Sequence, residues 1–153
     1  MHNLEIDIFL EEDMSTVSCI FCKIIQGELP CAKVYEDAQT LAFLDLNPLS
    51  PGHTLLLPKV HADTLLSLDS GSGEALIQAM RKIGQAMITG LGAEGFNCLQ
   101  NNFSAAGQEV MHLHWHIIPR NRADQLAFRW NHGKYADTDE MADLARKLGG
   151  HIA

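Results

Sequence analysis

Nowhere in the 153 residues does an apolar run approach the ~20 that a membrane-spanning helix needs, so no membrane partner is expected. Cysteine is scarce. Cys19, Cys22, Cys31 and Cys98 are too few for a disulfide scaffold at this length. Positive charge is short as well: 11 Lys and Arg stand against 19 Asp and Glu, a formal net charge of −8 at pH 7. A surface of that sign repels DNA and anionic lipid, so nucleic acid is not an expected partner. A small phosphate compound held at a local site stays open. Residues 1–13 are acidic and lack the basic start and apolar stretch of a secretory signal. The expected compartment is the cytoplasm, with reduced thiols. Internal repeats, low-complexity tracts, interdomain linkers and a Walker-type glycine loop are all missing.

What is present is a chain that folds. Apolar residues make up 46% and charged residues 20%, outside the disordered class. At this length one domain buries roughly 68–70% of its unfolded surface without help from disulfide or metal. Residues 1–14 read as an N-terminal extension and 15–153 as a single domain. In the extension Leu4, Ile6 and Ile8 alternate with acids, compatible with a weak strand or a mobile tail.

Periodicity and punctuation outline the elements. Ser18 is a candidate cap for a short helix over 19–26, whose Ile20, Phe21, Ile24 and Ile25 share a face. Strands are expected at 33–36 and 40–46, separated by an Asp37 turn, and at 53–57, stopped by Pro58. Ser72 caps a helix over 73–89 with an apolar stripe at Leu76, Met80, Ile83 and Met87, closed by Gly90 and Gly92. Strands at 96–101 and 110–118 follow, the second ended by Pro119. Asp137 with Glu140 forms a capping box for a last helix to about Leu148. Short connections favour antiparallel pairing, hence an α+β class.

Eight histidines is a high count, and three of them alternate with apolar residues in His112-Leu113-His114-Trp115-His116-Ile117-Ile118. Chance placement gives ~0.02 such triplets per chain by template counting. On a strand the three imidazoles line one face, with Leu113, Trp115 and Ile117 on the other. Such a ridge suits metal binding, or nucleophilic attack on phosphorus by neutral imidazole. Cys19-x-x-Cys22 places two thiols one turn apart near a helix start, where the dipole favours thiolate. It reads as half a zinc site, a redox pair or two buried small side chains. Asp45, at a strand end before Asn47-Pro48, either starts a turn or accepts hydroxyl hydrogen bonds. The small residues Ala105, Ala106 and Gly107 let backbone N–H groups approach a phosphate, or simply form a loop.

The triplet resembles the defining motif of the histidine triad (HIT) family, and other pieces agree in order from about Ser18 to Arg120. Cys19–Ile25 is similar to the family's first helix, and Val34–Asp37 with Leu41–Asp45 to its first hairpin. Pro51-Gly52-His53-Thr54, Pro58-Lys59 and His61 resemble its next strand and exit. Gln100–Asn102 and Ala106–Val110 resemble the approach to the triad. The resemblance implies a two-layer α+β fold: an antiparallel sheet of about five strands with two main helices plus a C-terminal helix. It implies a homodimer whose sheets join, and a purine nucleotide substrate carrying a phosphoramidate, acyl or polyphosphate substituent. By the same resemblance His114 is the nucleophile, assisted by His112, His116 and His53. Asn101, Gly107 and Gln108 lie at phosphate contacts, and Asp45 at the ribose. Ile20, Phe21, Ile24, Phe43, Leu46, Leu55 and Val110 form the apolar walls. Structural zinc on Cys19, Cys22, His61 and His112 is implied as well.

Glu109 departs from the family's better-known pattern, which has a small hydroxyl residue there. Beside phosphate a carboxylate is either a repelled neighbour or, if protonated, an acid. Two other readings compete with the hydrolase. One is a zinc-stabilised nucleotide-binding interaction protein with little turnover. The other is a metallohydrolase ligated by the triad, disfavoured because residues at i, i+2 and i+4 on a strand spread too far for one ion. Cys31 and Cys98 are expected to be packing residues, and Trp130 and Tyr135 loop anchors. His2, His132 and His151 take no role.

Overall fold

The structure is a computed structural model that describes residues 19–126 and 132–152. The extension, the proposed cap Ser18, His2 and Trp130 lie outside the described residues. Five strands form one antiparallel sheet: β1 (Lys33–Glu36), β2 (Thr40–Leu44), β3 (Thr54–Pro58), β4 (Gly95–Gln100) and β5 (Trp115–Arg120). Their order is β1-β2-β3-β5-β4, with every neighbouring pair antiparallel. Nearly every residue of β2 and β3 is buried, the expected outcome for apolar runs that do not alternate and are covered on both faces.

One face carries the long helix α2 (Ser70–Leu91). Leu76, Ala79, Ile83 and Met87 pack there on Ala42, Leu56, Leu113 and Ile117. The other face carries the short helix α1 (Ile20–Ile25). Phe21 and Cys22 press onto Leu41, Phe43, Leu55 and Leu57. Removing one such fully buried side chain, as in Leu76→Ala, typically costs about 2–5 kcal/mol. The C-terminal helix α3 (Thr138–Gly149) buries none of its residues, although Met141, Leu144 and Leu148 recur along it. Its N-cap is the expected one, since Asp137 accepts the Asp139 and Glu140 N–H groups, but the reciprocal bond of a capping box is displaced by one residue: the Glu140 carboxylate accepts the Ala136 N–H rather than that of Asp137.

Several boundaries differ from expectation, each for a local reason. The N-cap of α1 is Cys19, whose side chain makes no cap bond. α2 starts earlier, because Asp69 is the cap and accepts the N–H of Ser72, itself inside the first turn. Gly92 closes α2 in the left-handed conformation at φ 66°, as a C-terminal glycine does. The strand expected over 110–118 begins only at Trp115. Before it the chain is held by single bonds, such as Leu113 N–H to the Ala62 carbonyl at 2.7 Å, rather than by a ladder. Pro119 does not end β5 but pairs with Phe96 inside it. β3 last pairs at Thr54 with Ile117, so on that side the missing N–H of Pro119 forgoes no bond.

Candidate active site and thiol–imidazole cluster

On the α1 face, the triad segment leads into β5 beside β3, with Phe21 of α1 edge-on to His112 and His114. Alternation survives although two of the three histidines precede the strand. Leu113, Trp115 and Ile117 turn to the α2 layer, and the imidazoles turn the other way. They do not share one fate. His112 is fully buried and joins Cys19, Cys22 and His61, while His114 and His116 line a cavity of about 490 Å³.

In the cluster, His112 Nδ1 lies 3.5 Å from Cys19 Sγ and 3.6 Å from Cys22 Sγ, and His61 Nδ1 lies 3.3 Å from Cys22 Sγ. Zinc with bonds of about 2.3 Å to sulfur and 2.0–2.1 Å to nitrogen has tetrahedral S···N edges of about 3.6 Å, so the donor set fits zinc. The outer nitrogens fit too. His112 Nε2–H donates to the Pro58 carbonyl at 2.9 Å and His61 Nε2–H to Asp63 Oδ1 at 3.0 Å. Each bond leaves the lone pair on Nδ1, aimed at the thiols. The dipole expectation for the thiols is corrected. Burial and the neighbouring Cys19 push the Cys22 thiol up to about 11, and a six-residue helix does not offset that.

The cavity is shaped by α1, β2 and β3 on its apolar side, where Ile20, Phe21, Ile24, Phe43 and Leu55 line it. Leu46 lines its mouth and is almost wholly exposed. Asn101, Gly107, Glu109 and Val110 line it from the loop that precedes the triad. Gln108 is not brought to the cavity. Its amide is buried in that loop, accepting the Phe103 N–H at 2.8 Å and donating to the Asp63 and Val110 carbonyls at 2.6 and 2.9 Å. It thereby holds Phe103 at φ 67°, a conformation non-glycine residues rarely adopt. His112 is likewise absent from the cavity wall. Pro30, Cys31, Ala32, Leu44, Asn47 and Leu49 also line it, none of which the sequence marks as a site residue.

Backbone partners fix the proton positions of the cavity imidazoles. His114 Nδ1–H donates to the His112 carbonyl at 2.7 Å, so its Nε2 carries the lone pair. The Leu49 N–H can only donate, and it does so to His53 Nδ1 at 3.1 Å. A neutral His53 therefore holds its proton on Nε2, 3.0 Å from His116 Nδ1. His116 accepts there and keeps its own proton on Nε2. All three rings stay neutral near pH 7. Burial is the largest cause for His53 and His114, and with the neighbouring imidazoles it holds His116 down at about 4. Phe21 stands edge-on to the His114 ring, with centroids 5.1 Å apart.

Asp45 fits both readings of its position. Oδ1 accepts the Asn47 N–H at 2.8 Å, while Oδ2 lies 3.6 Å from His53 Nε2 and 3.9 Å from His116 Nδ1. Spacing alone admits an ion among these three atoms. The tautomers oppose it, because His53 Nε2 carries a proton rather than a lone pair. A larger, mostly apolar cavity of about 650 Å³ lies on the α2 face beside Leu44, Met87, Leu91 and Pro119, away from every imidazole.

An arrangement with one aimed lone pair, one aimed N–H and an apolar slot beside them suits displacement at a phosphorus carrying an apolar group. Comparison with known proteins places the chain. The HIT domain family matches residues 26–123. An adenylylsulfatase of Arabidopsis thaliana is 47% identical over 108 residues, covering 71% of this chain and 55% of its own. An adenosine 5′-monophosphoramidase of Schizosaccharomyces pombe is 45% identical over 115 residues, covering 74% of this chain and 84% of its own. The crystal structure of a Zn-bound histidine triad family protein from Mycobacterium smegmatis superposes with a TM-score of 0.70 at 33% identity, covering 89% of this chain and 99% of that one. With its sheet, its aimed imidazoles and these likenesses in agreement, the chain belongs to the HIT family.

Proposed function

We propose that this chain is a nucleotidyl hydrolase or transferase that cleaves a substituted purine nucleoside 5′-phosphate through a covalent nucleotidyl–His114 intermediate. The observation that carries the reading is the bond from His114 Nδ1–H to the His112 carbonyl, which leaves Nε2 as an unprotonated nucleophile on the cavity wall. Nε2 forms a bond to phosphorus, and the bond from phosphorus to the leaving group breaks. The leaving group departs with the electron pair and takes up one proton. Water then attacks the same phosphorus, gives up one proton and releases the nucleoside monophosphate, restoring His114. His116 Nε2–H donates to a phosphoryl oxygen, and His53 holds His116 in that tautomer. Asn101 and the Gly107 backbone meet other phosphoryl oxygens, Asp45 Oδ2 accepts from the ribose, and the α1–β2 wall takes the base. Gln108 acts through the loop it braces. The names of the two enzymatic relatives support this class of reaction.

Zinc on Cys19, Cys22, His61 and His112 supplies a cross-link rather than a reactive centre, supported by the donor spacing and by the Zn-bound relative. The protein works as a homodimer in the cytoplasm. Among the described residues no helix is long and apolar enough to cross a membrane. The test is labelling with a substrate radioactive at phosphorus, followed by acid treatment. The wild type is expected to hold acid-labile label and His114→Ala none. Nucleotide binding without label in either protein would instead favour an interaction protein.

A further inference from the structure

The wall of the cavity is short of the charge its proposed ligand calls for. Among the described residues no Lys or Arg lines it, while two carboxylates do, Asp45 and Glu109. Asp45 is engaged by the Asn47 N–H and stands beside His53 and His116. Glu109 makes no hydrogen bond or ion pair among the described residues, is exposed, and acts on the His114 ring through its charge. It is thus an unneutralised carboxylate next to the ring proposed to attack phosphorus.

A substituted nucleoside 5′-phosphate brings one negative charge of its own. An anionic leaving group adds more against a wall without Lys or Arg among the described residues, whereas an ammonium on the leaving group finds a carboxylate without a competing partner. We infer that Glu109 sets leaving-group specificity by charge, selecting nucleotidyl amides whose departing amine carries a positive charge over those whose departing group is anionic. This rests on the hydrolase reading above and narrows its substrate class. The bias belongs on the order of tenfold between leaving groups of opposite charge, the scale of one interaction across a partly solvated site.

The experiment uses three adenosine 5′-phosphoramidates of similar size, made with putrescine (cationic), butylamine (neutral) and γ-aminobutyrate (anionic). For the full chain kcat/KM is expected to fall in that order, about tenfold from first to last. The spread should shrink at about 1 M salt, where the screening length is about 3 Å. Glu109→Gln should compress the ratio to within roughly threefold, and Glu109→Lys should reverse the order. A purely structural role for Glu109 would lower all three rates together and keep the ratio. That result, or equal wild-type rates for the three amides, overturns the inference while leaving the hydrolase reading intact. No turnover of any of the three also overturns the inference, and the hydrolase reading is then decided separately by the phosphorus labelling of His114.

Discussion

At the scale of single residues, the site works by assigning protons. Three backbone groups, the Leu49 N–H and the carbonyls of Pro58 and His112, decide which nitrogen of His53, His112 and His114 is bare. The buried rings this produces refuse charge, and that has a consequence for stability. His116 sits near 4 in the folded chain against an ordinary value of 6.5. Between those values the unfolded chain binds a proton that the folded one does not, so stability falls as pH drops from about 6.5 to about 4 and is flat above. The ceiling on the loss from this ring is about 3 kcal/mol. His112 behaves alike in the metal-free chain, for the same main cause of burial. Thermal melts between pH 7 and pH 4 should show this decline, and His116→Asn should flatten part of it. An unchanged slope in the variant would assign the decline to other groups.

At the scale of elements, α1 is too short to persist alone and is held by what its two cysteines and Phe21 touch. The Cys22 thiol is pushed up to about 11, so a metal must displace its proton to bind sulfur. Adding zinc to chelated protein near neutral pH should therefore release protons, read by an indicator dye in weak buffer, and Cys22→Ser should reduce the yield. Zinc uptake with no proton release would place the ion elsewhere. Much of this scale was legible in advance. The hairpin, the long amphipathic helix, the Asp137 cap of α3 and the succession of three strands, a helix and two strands along the chain follow from turn residues and periodicity, whereas the place of β5 between β3 and β4 does not. The triad strand starts later than its alternation suggests, because alternation persists in an extended segment that has no ladder partner. The family resemblance puts Gln108 at the phosphate, yet the Phe103 N–H and the Asp63 and Val110 carbonyls claim its amide. The groups that set the tautomers are main-chain atoms, which no residue pattern announces.

At the scale of the whole molecule, the two sheet edges differ. β1 is four residues long, carries a bulge between Lys33 and Tyr35, and is flanked by the Lys33–Glu36 and Lys59–Glu36 ion pairs. Those are the features that block further pairing. β4 is six residues long, pairs β5 without a shift, and leaves Phe96 and Cys98 exposed. The proposed homodimer, if its sheets join, is predicted to use the β4 edge. Light scattering on the eluted protein should give roughly twice 16.9 kDa. Cys98→Lys, which sets like charges against each other across a two-fold, should shift it toward the monomer. A monomeric wild type would refute the assembly.

His112 spends its ring on the thiols and its carbonyl on His114, so one amino acid serves two masters. A loss at either thiol is therefore felt at a distance: with its anchor gone the His112 ring gains room to tilt, and the carbonyl that holds the His114 proton tilts with it.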